Sequence, residues 1–94
     1  MSLLAFVLTS TPVQLLSTGL RQFGLPEMMI TAPRSGSGGA LAYLFDMAAY
    51  VVRRGQAIPE NDTVGRTATE KLRVRYQPSP VLPDERIAVI DLPS

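Results

Sequence analysis

Runs of apolar residues divide the first part of the chain into short segments of strand type. Residues 3–8, "LLAFVL", form a continuous apolar run of the kind typical of a strand buried on both faces. After Pro12, residues 13–23 predict a second extended segment, in which Gly19 indicates a bulge or a close backbone approach. A tight turn at residues 24–27 then leads into a third strand over residues 27–31. We therefore expect a β-hairpin in this half.

A single long helix is predicted from near Gly38 to Arg54. Ser37 is its expected N-cap, because a serine hydroxyl can accept a hydrogen bond from a free amide of the first turn. Two arginines occupy the last turn, where cations favour the negative end of the helix dipole. Gly55 follows at the position that commonly adopts a left-handed conformation, so the end of the helix is strongly indicated.

The apolar residues of this helix form two stripes. The first has the spacing of a face that packs on a sheet and consists of Leu41, Leu44, Phe45, Ala48, Val51 and Val52. The second is amphipathic and consists of Tyr43, Met47 and Tyr50. A helix that is apolar on most sides is buried on more than one side. The second stripe is therefore a candidate subunit or domain interface, and its coverage by a loop of the same chain is an equal alternative.

Asp46 is the one charge in the helix before the two arginines. It shares its side of the helix with Ala42, Ala49 and Arg53. We expect this side to face solvent, because a buried carboxylate paired with an arginine is the less common arrangement.

The second half predicts a hairpin behind a polar loop. Residues 56–69 are rich in turn formers, and residues 67–70 fit a capping box that starts at most one short turn. Residues 70–76 alternate as a strand does, with Leu72, Val74 and Tyr76 on one face and Lys71, Arg73 and Arg75 on the other. After a proline-rich loop, residues 86–92 form a final apolar strand.

The resulting order is β-β-β-α-β-β, which predicts a single α+β domain over residues 1–94. One long helix would pack on an antiparallel or mixed sheet of about four to five strands. The chain of 94 residues is long enough for one small domain and one core.

The composition favours self-association of the chain and excludes several kinds of catalytic and metal-binding site. Apolar residues make up 46% of the chain and charged residues 18%, against a usual charged share of about 25%. This is more apolar surface than so small a core readily hides, and a second copy is the simplest cover. The chain has no cysteine and no histidine, so thiol nucleophiles, thiolate or imidazole metal sites and Ser-His-Asp triads are excluded.

Charge and hydropathy argue against nucleic-acid and membrane partners. The net charge of +1 gives no general attraction to nucleic acid or to an anionic membrane. No run approaches the roughly 20 apolar residues that span a bilayer, and the N-terminal run lacks the basic region and cleavage site of a signal peptide. We expect a soluble, cytoplasmic protein without a cofactor.

The segment "PRSGSGG", residues 33–39, invites comparison with phosphate-binding loops. A P-loop needs a lysine and a hydroxyl residue after its last glycine, where this chain has Ala40 and Leu41. The dinucleotide fingerprint needs G-x-G-x-x-G, whereas the spacing here is G-x-G-G. A flexible connector is the favoured interpretation. The alternative is a generic anion site, whose candidate residues are Arg34, Ser35, Ser37, Gly38 and Gly39.

The remaining charged groups favour structural roles. The basic face of residues 70–76 has no interleaved aromatic residue for stacking on bases, so a solvated strand face is the simpler interpretation. The carboxylates at 60 and 62, and those at 84 and 85, lie in turns without calcium-loop spacing. Arg21 and Glu27 flank the "FGLPE" turn, and we expect them to pair across the hairpin.

The segment "TGLRQFGLPE", residues 18–27, resembles the signature of a family of uncharacterised bacterial domains. In that family a "GLRRFGLPE"-like segment precedes a helix of the "LAAYL" kind, a "DT(I/V)G" turn and a basic strand that ends near "PSP". This chain has matching segments in the same order at residues 46–50, 62–65 and 75–80. The resemblance extends from about residue 13 and implies no activity, cofactor or catalytic residue. The glycine loop is not part of the pattern.

These observations favour a non-enzymatic protein-interaction domain that forms a homodimer through Tyr43, Met47 and Tyr50. The alternative function is small-ligand or anion binding at the glycine loop. An enzyme that uses only carboxylates and arginine is a third and weaker hypothesis.

Overall fold

The structure is a computed structural model that describes residues 4–10, 12–34, 38–67, 69–82 and 84–93. The described part folds as one α-helix on a mixed six-stranded sheet, which confirms the predicted α+β class. The strands are β1 (Leu4–Ser10), β2 (Val13–Thr18), β3 (Met28–Ala32), β4 (Thr63–Val64), β5 (Leu72–Pro78) and β6 (Arg86–Asp91). The helix α1 spans Ala40–Arg54, and a short 3₁₀ helix spans Leu20–Phe23.

The strands lie in the order β1-β2-β3-β6-β5-β4. All neighbours are antiparallel except β3 and β6, which run parallel, with Met29 opposite Val89. Parallel neighbours require a crossover connection, and α1 together with the β4–β5 region forms it. The two halves of the chain therefore meet at the centre of the sheet.

Two apolar clusters lie on the two faces of the sheet. The larger cluster lies under α1 and includes Leu15, Ile30, Val74 and Ile90 from the sheet with Leu44 and Val51 from the helix. The smaller cluster lies on the opposite face and consists of Leu16, Met29, Ile87 and Val89. The alternation predicted for residues 70–76 is confirmed, because Val74 is buried while Arg73 and Arg75 are exposed.

The end of α1 agrees with the prediction, whereas its start does not. At the end, Gly55 is left-handed (φ 70°) and its amide donates to the carbonyls of Val51 and Val52. At the start, the N-cap is Gly39 (φ 82°), and the helix begins at Ala40. Ser37, the predicted N-cap, lies outside the described residues.

Three strand predictions need correction. The described residues form six strands rather than four to five, and the sequence did not indicate β4 because two residues are too few to show a periodic pattern. The first strand is not buried on both faces: β1 is an edge strand, and Leu4 and Val7 are 59% and 60% exposed. The second extended segment ends at Thr18, because Gly19 (φ 123°) turns the chain into the 3₁₀ helix.

Candidate functional site

An open groove of about 580 Å³ lies between α1 and β4. Its helix wall is formed by Ala42, Tyr43, Asp46, Met47 and Tyr50, and its other wall by residues 63–66. One helix is roughly 10 Å wide, whereas six strands spaced about 4.8 Å apart span more than twice that width. Because α1 packs mainly on β2 and β3, the side of the sheet toward β4 is left partly uncovered.

The three predicted interface residues all line this groove, but they differ in exposure. Tyr43 and Met47 are each 8% exposed and belong to the larger core cluster, so they form the inner part of the helix wall. Tyr50 is 38% exposed and stands at the rim. The inner part of the helix wall is thus apolar, and one large exposed aromatic side chain stands at its rim.

The predicted sheet-facing stripe is displaced around the helix. Leu44, Ala48 and Val51 are buried as expected, whereas Leu41 is 48% exposed. The two apolar stripes of α1 adjoin each other, so their periodicity defines a broad apolar sector without defining its centre. In the structure the centre lies between the two stripes, because Tyr43 and Met47 also pack in the core.

The hydroxyl of Tyr43 is a buried polar group at the groove wall. It has no hydrogen-bond partner among the described residues. Burial and the nearby carboxylate of Glu70 raise the pKa of Tyr43, and Arg66 opposes them. The hydroxyl therefore stays protonated at neutral pH and retains an unused hydrogen-bond donor.

A bidentate ion pair closes the other wall of the groove. The Nε and Nη2 atoms of Arg66 lie 2.8 and 2.6 Å from the two carboxylate oxygens of Glu70, and the Arg66 amide donates to the same carboxylate. These hydrogen bonds lower the pKa of Glu70 to about 2. The amide of Glu70 donates to the Thr67 hydroxyl at 3.2 Å, which is one half of the predicted capping box. The Glu70 carboxylate binds Arg66 instead of completing the other half.

Gly65 allows this wall to close. A Cβ atom at this position would overlap the backbone carbonyl of Glu70 and approach that of Thr67. The glycine of the "DTVG" segment is therefore required by a close backbone approach, which explains its presence without a ligand.

Asp46 and Arg53 are exposed on one stripe of α1, beside Ala42 and Ala49, as the sequence predicted. Within the described ranges, the side chains of Asp46 and Arg53 make no ion pair and no hydrogen bond with another residue. By contrast, Arg54 donates to the Tyr50 hydroxyl at 2.8 Å and lies 5.2 Å from the centre of its ring. The stripe therefore carries two unpaired opposite charges next to an anchored tyrosine.

The predicted pairing of Arg21 with Glu27 is wrong. The Arg21 guanidinium lies 2.8 Å from Glu85. The Glu27 carboxylate is buried and accepts hydrogen bonds from the amides of Gly19, Leu20 and Arg21 at 3.1–3.3 Å. The chain turns into the 3₁₀ helix here, which directs three free amides at one carboxylate. In the "GLRQFGLPE" segment, the final glutamate thus binds backbone amides at the start of the same segment.

The "PSP" segment also has a structural role. Ser79 is buried, and its hydroxyl accepts hydrogen bonds from the amides of Val81 and Leu82 at 3.2 and 3.1 Å. On the preceding strand, Arg75 lies 2.9 Å from Asp91. The hydroxyl orders the loop between β5 and β6, and the ion pair ties these two strands together.

The candidate anion site stays a prediction, because the described residues contain only part of it. Arg34, Gly38 and Gly39 are exposed before α1, while Ser35 and Ser37 lie outside the described ranges. No group of three or more metal-binding side chains occurs in the described part of the chain. Within the same ranges, no helix is both long and apolar enough to cross a membrane.

The chain matches a protein-family model over most of its length. The model of a family described as "Domain of unknown function (DUF4261)" matches residues 16–92. The matched span contains α1, both walls of the groove, Glu27 and Ser79, and it begins within β2, so β1 lies outside it. No curated protein and no solved structure matches the chain.

Proposed function

We propose that this chain, which belongs to the DUF4261 family, is a non-enzymatic protein-interaction domain that forms a homodimer through the groove side of α1. The contact consists of Tyr50 and the exposed stripe of Ala42, Asp46, Ala49 and Arg53. The observation that carries the proposal is the pair of unpaired, opposite charges at Asp46 and Arg53, seven residues apart on one exposed stripe.

This spacing makes the stripe complementary to itself. Two copies of α1 can pack antiparallel about a two-fold axis near Ala49 and Tyr50. Asp46 and Arg53 then lie on opposite sides of the axis, each about 5 Å from it along the helix. Asp46 of each copy then faces Arg53 of the other, so the contact has two identical ion pairs. The small alanines permit close approach of the two helices.

The surroundings of the stripe have the composition of an interface. Tyr43 and Met47 provide an apolar wall beside the stripe, and Tyr50 provides an exposed aromatic side chain. Aromatic residues are enriched in protein interfaces. A cytoplasmic location belongs to the same proposal, because a chain without cysteine needs no oxidising compartment.

A charge-swap experiment tests the contact. Analytical ultracentrifugation at micromolar concentration should show self-association of the wild-type chain. Asp46→Arg and Arg53→Asp should each self-associate more weakly, because each places like charges opposite each other in the contact. The double variant should recover dimerisation. Tyr50→Glu should disrupt the groove contact, whereas Val81→Glu, at an exposed apolar position in the loop between β5 and β6, serves as a control that leaves it intact. A monomeric wild-type chain, or a double variant no better than the single ones, would refute the proposal.

A further inference from the structure

The two edges of the sheet differ in how well they are protected. The β4 edge is two residues long and lies next to the Arg66–Glu70 ion pair. The β1 edge is seven residues long, and β1 has no charged residue and no proline. Charges, prolines and short strands are the usual devices that prevent a sheet edge from pairing with another chain. Within the described residues, the β4 edge is short and lies beside charges, whereas the device at the β1 edge is a bulge between Val7 and Thr9.

Exposed apolar side chains surround the β1 edge on both faces of the sheet. Val7 pairs with Leu15, whose side chain lies on the α1 face, whereas Leu4 pairs with Thr18 and points to the other face. Both side chains are about 60% exposed. Leu41, 48% exposed, lies on the flank of α1 that faces away from the groove and hence toward β1. A strand added at this edge would cover apolar surface on both faces.

We propose that β1 is a second assembly surface, at which β1 of another copy adds as an antiparallel strand and joins the two sheets. Along residues 4–7 the outer backbone groups of β1 have no neighbouring strand among the residues that the structure describes, and a strand is the element that satisfies such alternating donors and acceptors. A two-fold contact brings like residues together, which an uncharged strand tolerates and a charged one does not. The bulge confines the new pairing to residues 4–7.

This surface is independent of the groove, because β1 and β4 lie at opposite edges of the sheet. A chain with both contacts would assemble beyond the dimer, since each copy could bind one neighbour at the groove and another at β1. The two proposals therefore make separate predictions for variants of Val7 and Tyr50.

Lysine substitution tests the β1 contact. Val7→Lys should lower the mean mass of the assemblies in sedimentation velocity at micromolar concentration, because it brings two charges together at the contact. Thr18→Lys, at an exposed position of the neighbouring strand β2, is the matched control and should retain the wild-type mass. Circular dichroism of both variants checks that the fold is unchanged. An unaltered mass for Val7→Lys would overturn the proposal.

Crosslinking identifies the contact directly, because the chain has no native cysteine to interfere. Of the single variants Leu4→Cys, Ala5→Cys and Val7→Cys, the one nearest the two-fold axis should form a covalent dimer on mild oxidation, since a disulfide requires Cα atoms about 5–6 Å apart. Thr18→Cys should not. The crosslink should persist with Tyr50→Glu, so that loss of the groove dimer and loss of the β1 contact are told apart. Failure of all three positions to crosslink would refute the β1 contact.

Discussion

The hydroxyl of Ser17 donates a hydrogen bond to the buried carboxylate of Glu27 at 2.8 Å and accepts one from the amide of Met28 at 2.9 Å. It thereby links the end of β2 to the start of β3. The intervening residues form the 3₁₀ helix, whose first amides bind the same carboxylate. One serine and one glutamate thus determine the geometry of the connection between these strands.

Ser17→Ala should destabilise the fold by about 1–3 kcal/mol, because it leaves the buried Met28 amide without a partner and removes one donor from Glu27. Urea unfolding followed by circular dichroism measures the effect. Thr18→Ala, at the exposed neighbouring position, should change the free energy of unfolding by less than about 0.5 kcal/mol. Equal effects of the two variants would show that the buried network is unimportant.

Gly65→Ala should destabilise the fold by about 1–3 kcal/mol, because its Cβ overlaps the Glu70 carbonyl and forces the backbone of the β4–β5 connection to move. Gly38→Ala is the matched control. A Cβ at Gly38 meets no atom within 4 Å, and no positive φ opposes the substitution. We expect it to be neutral or slightly stabilising in the same urea assay. A Gly65→Ala variant as stable as the wild type would contradict the close approach.

The Arg66–Glu70 ion pair should make stability depend on pH at the acid end. The folded-state pKa of Glu70 is about 2, below its ordinary value of 4.5. The pair therefore contributes fully above about pH 4.5 and loses its contribution as the pH falls toward 2. Melting temperatures between pH 7 and pH 2 should fall more steeply for the wild type than for Arg66→Met. Because the pair is exposed, salt should reduce the difference, and parallel pH profiles would argue against the pair.

Local sequence patterns predicted the positions of the helix and strands better than they predicted how exposed each element is. The helix end at Gly55 and the alternation around Val74 follow from rules that involve neighbouring residues only, and both are confirmed. The exposure of β1 depends on strand order, which the apolar run of residues 4–8 does not encode. Apolar character alone does not distinguish a central strand from an edge strand.

The groove was predictable only in part. The two apolar stripes of α1 indicated a second surface, but the burial of Tyr43 depends on where the helix rests on the sheet. The partner predicted for Glu27 is wrong because it, too, depends on the three-dimensional path of the backbone. A carboxylate near an arginine suggests an ion pair, whereas the turn after Gly19 directs backbone amides at Glu27 instead.

The parallel pairing of β3 with β6 also affects how the chain folds. Met28 and Ala88 lie about 60 residues apart in sequence and are opposite each other at the centre of the sheet. Contacts between such distant segments are slow to form, because a long loop must close before the pairing stabilises it. On the ribosome, β1, β2 and β3 would have to wait for almost all of the chain before gaining their central neighbour. A chain truncated before residue 86 would lack the strand that joins its two halves.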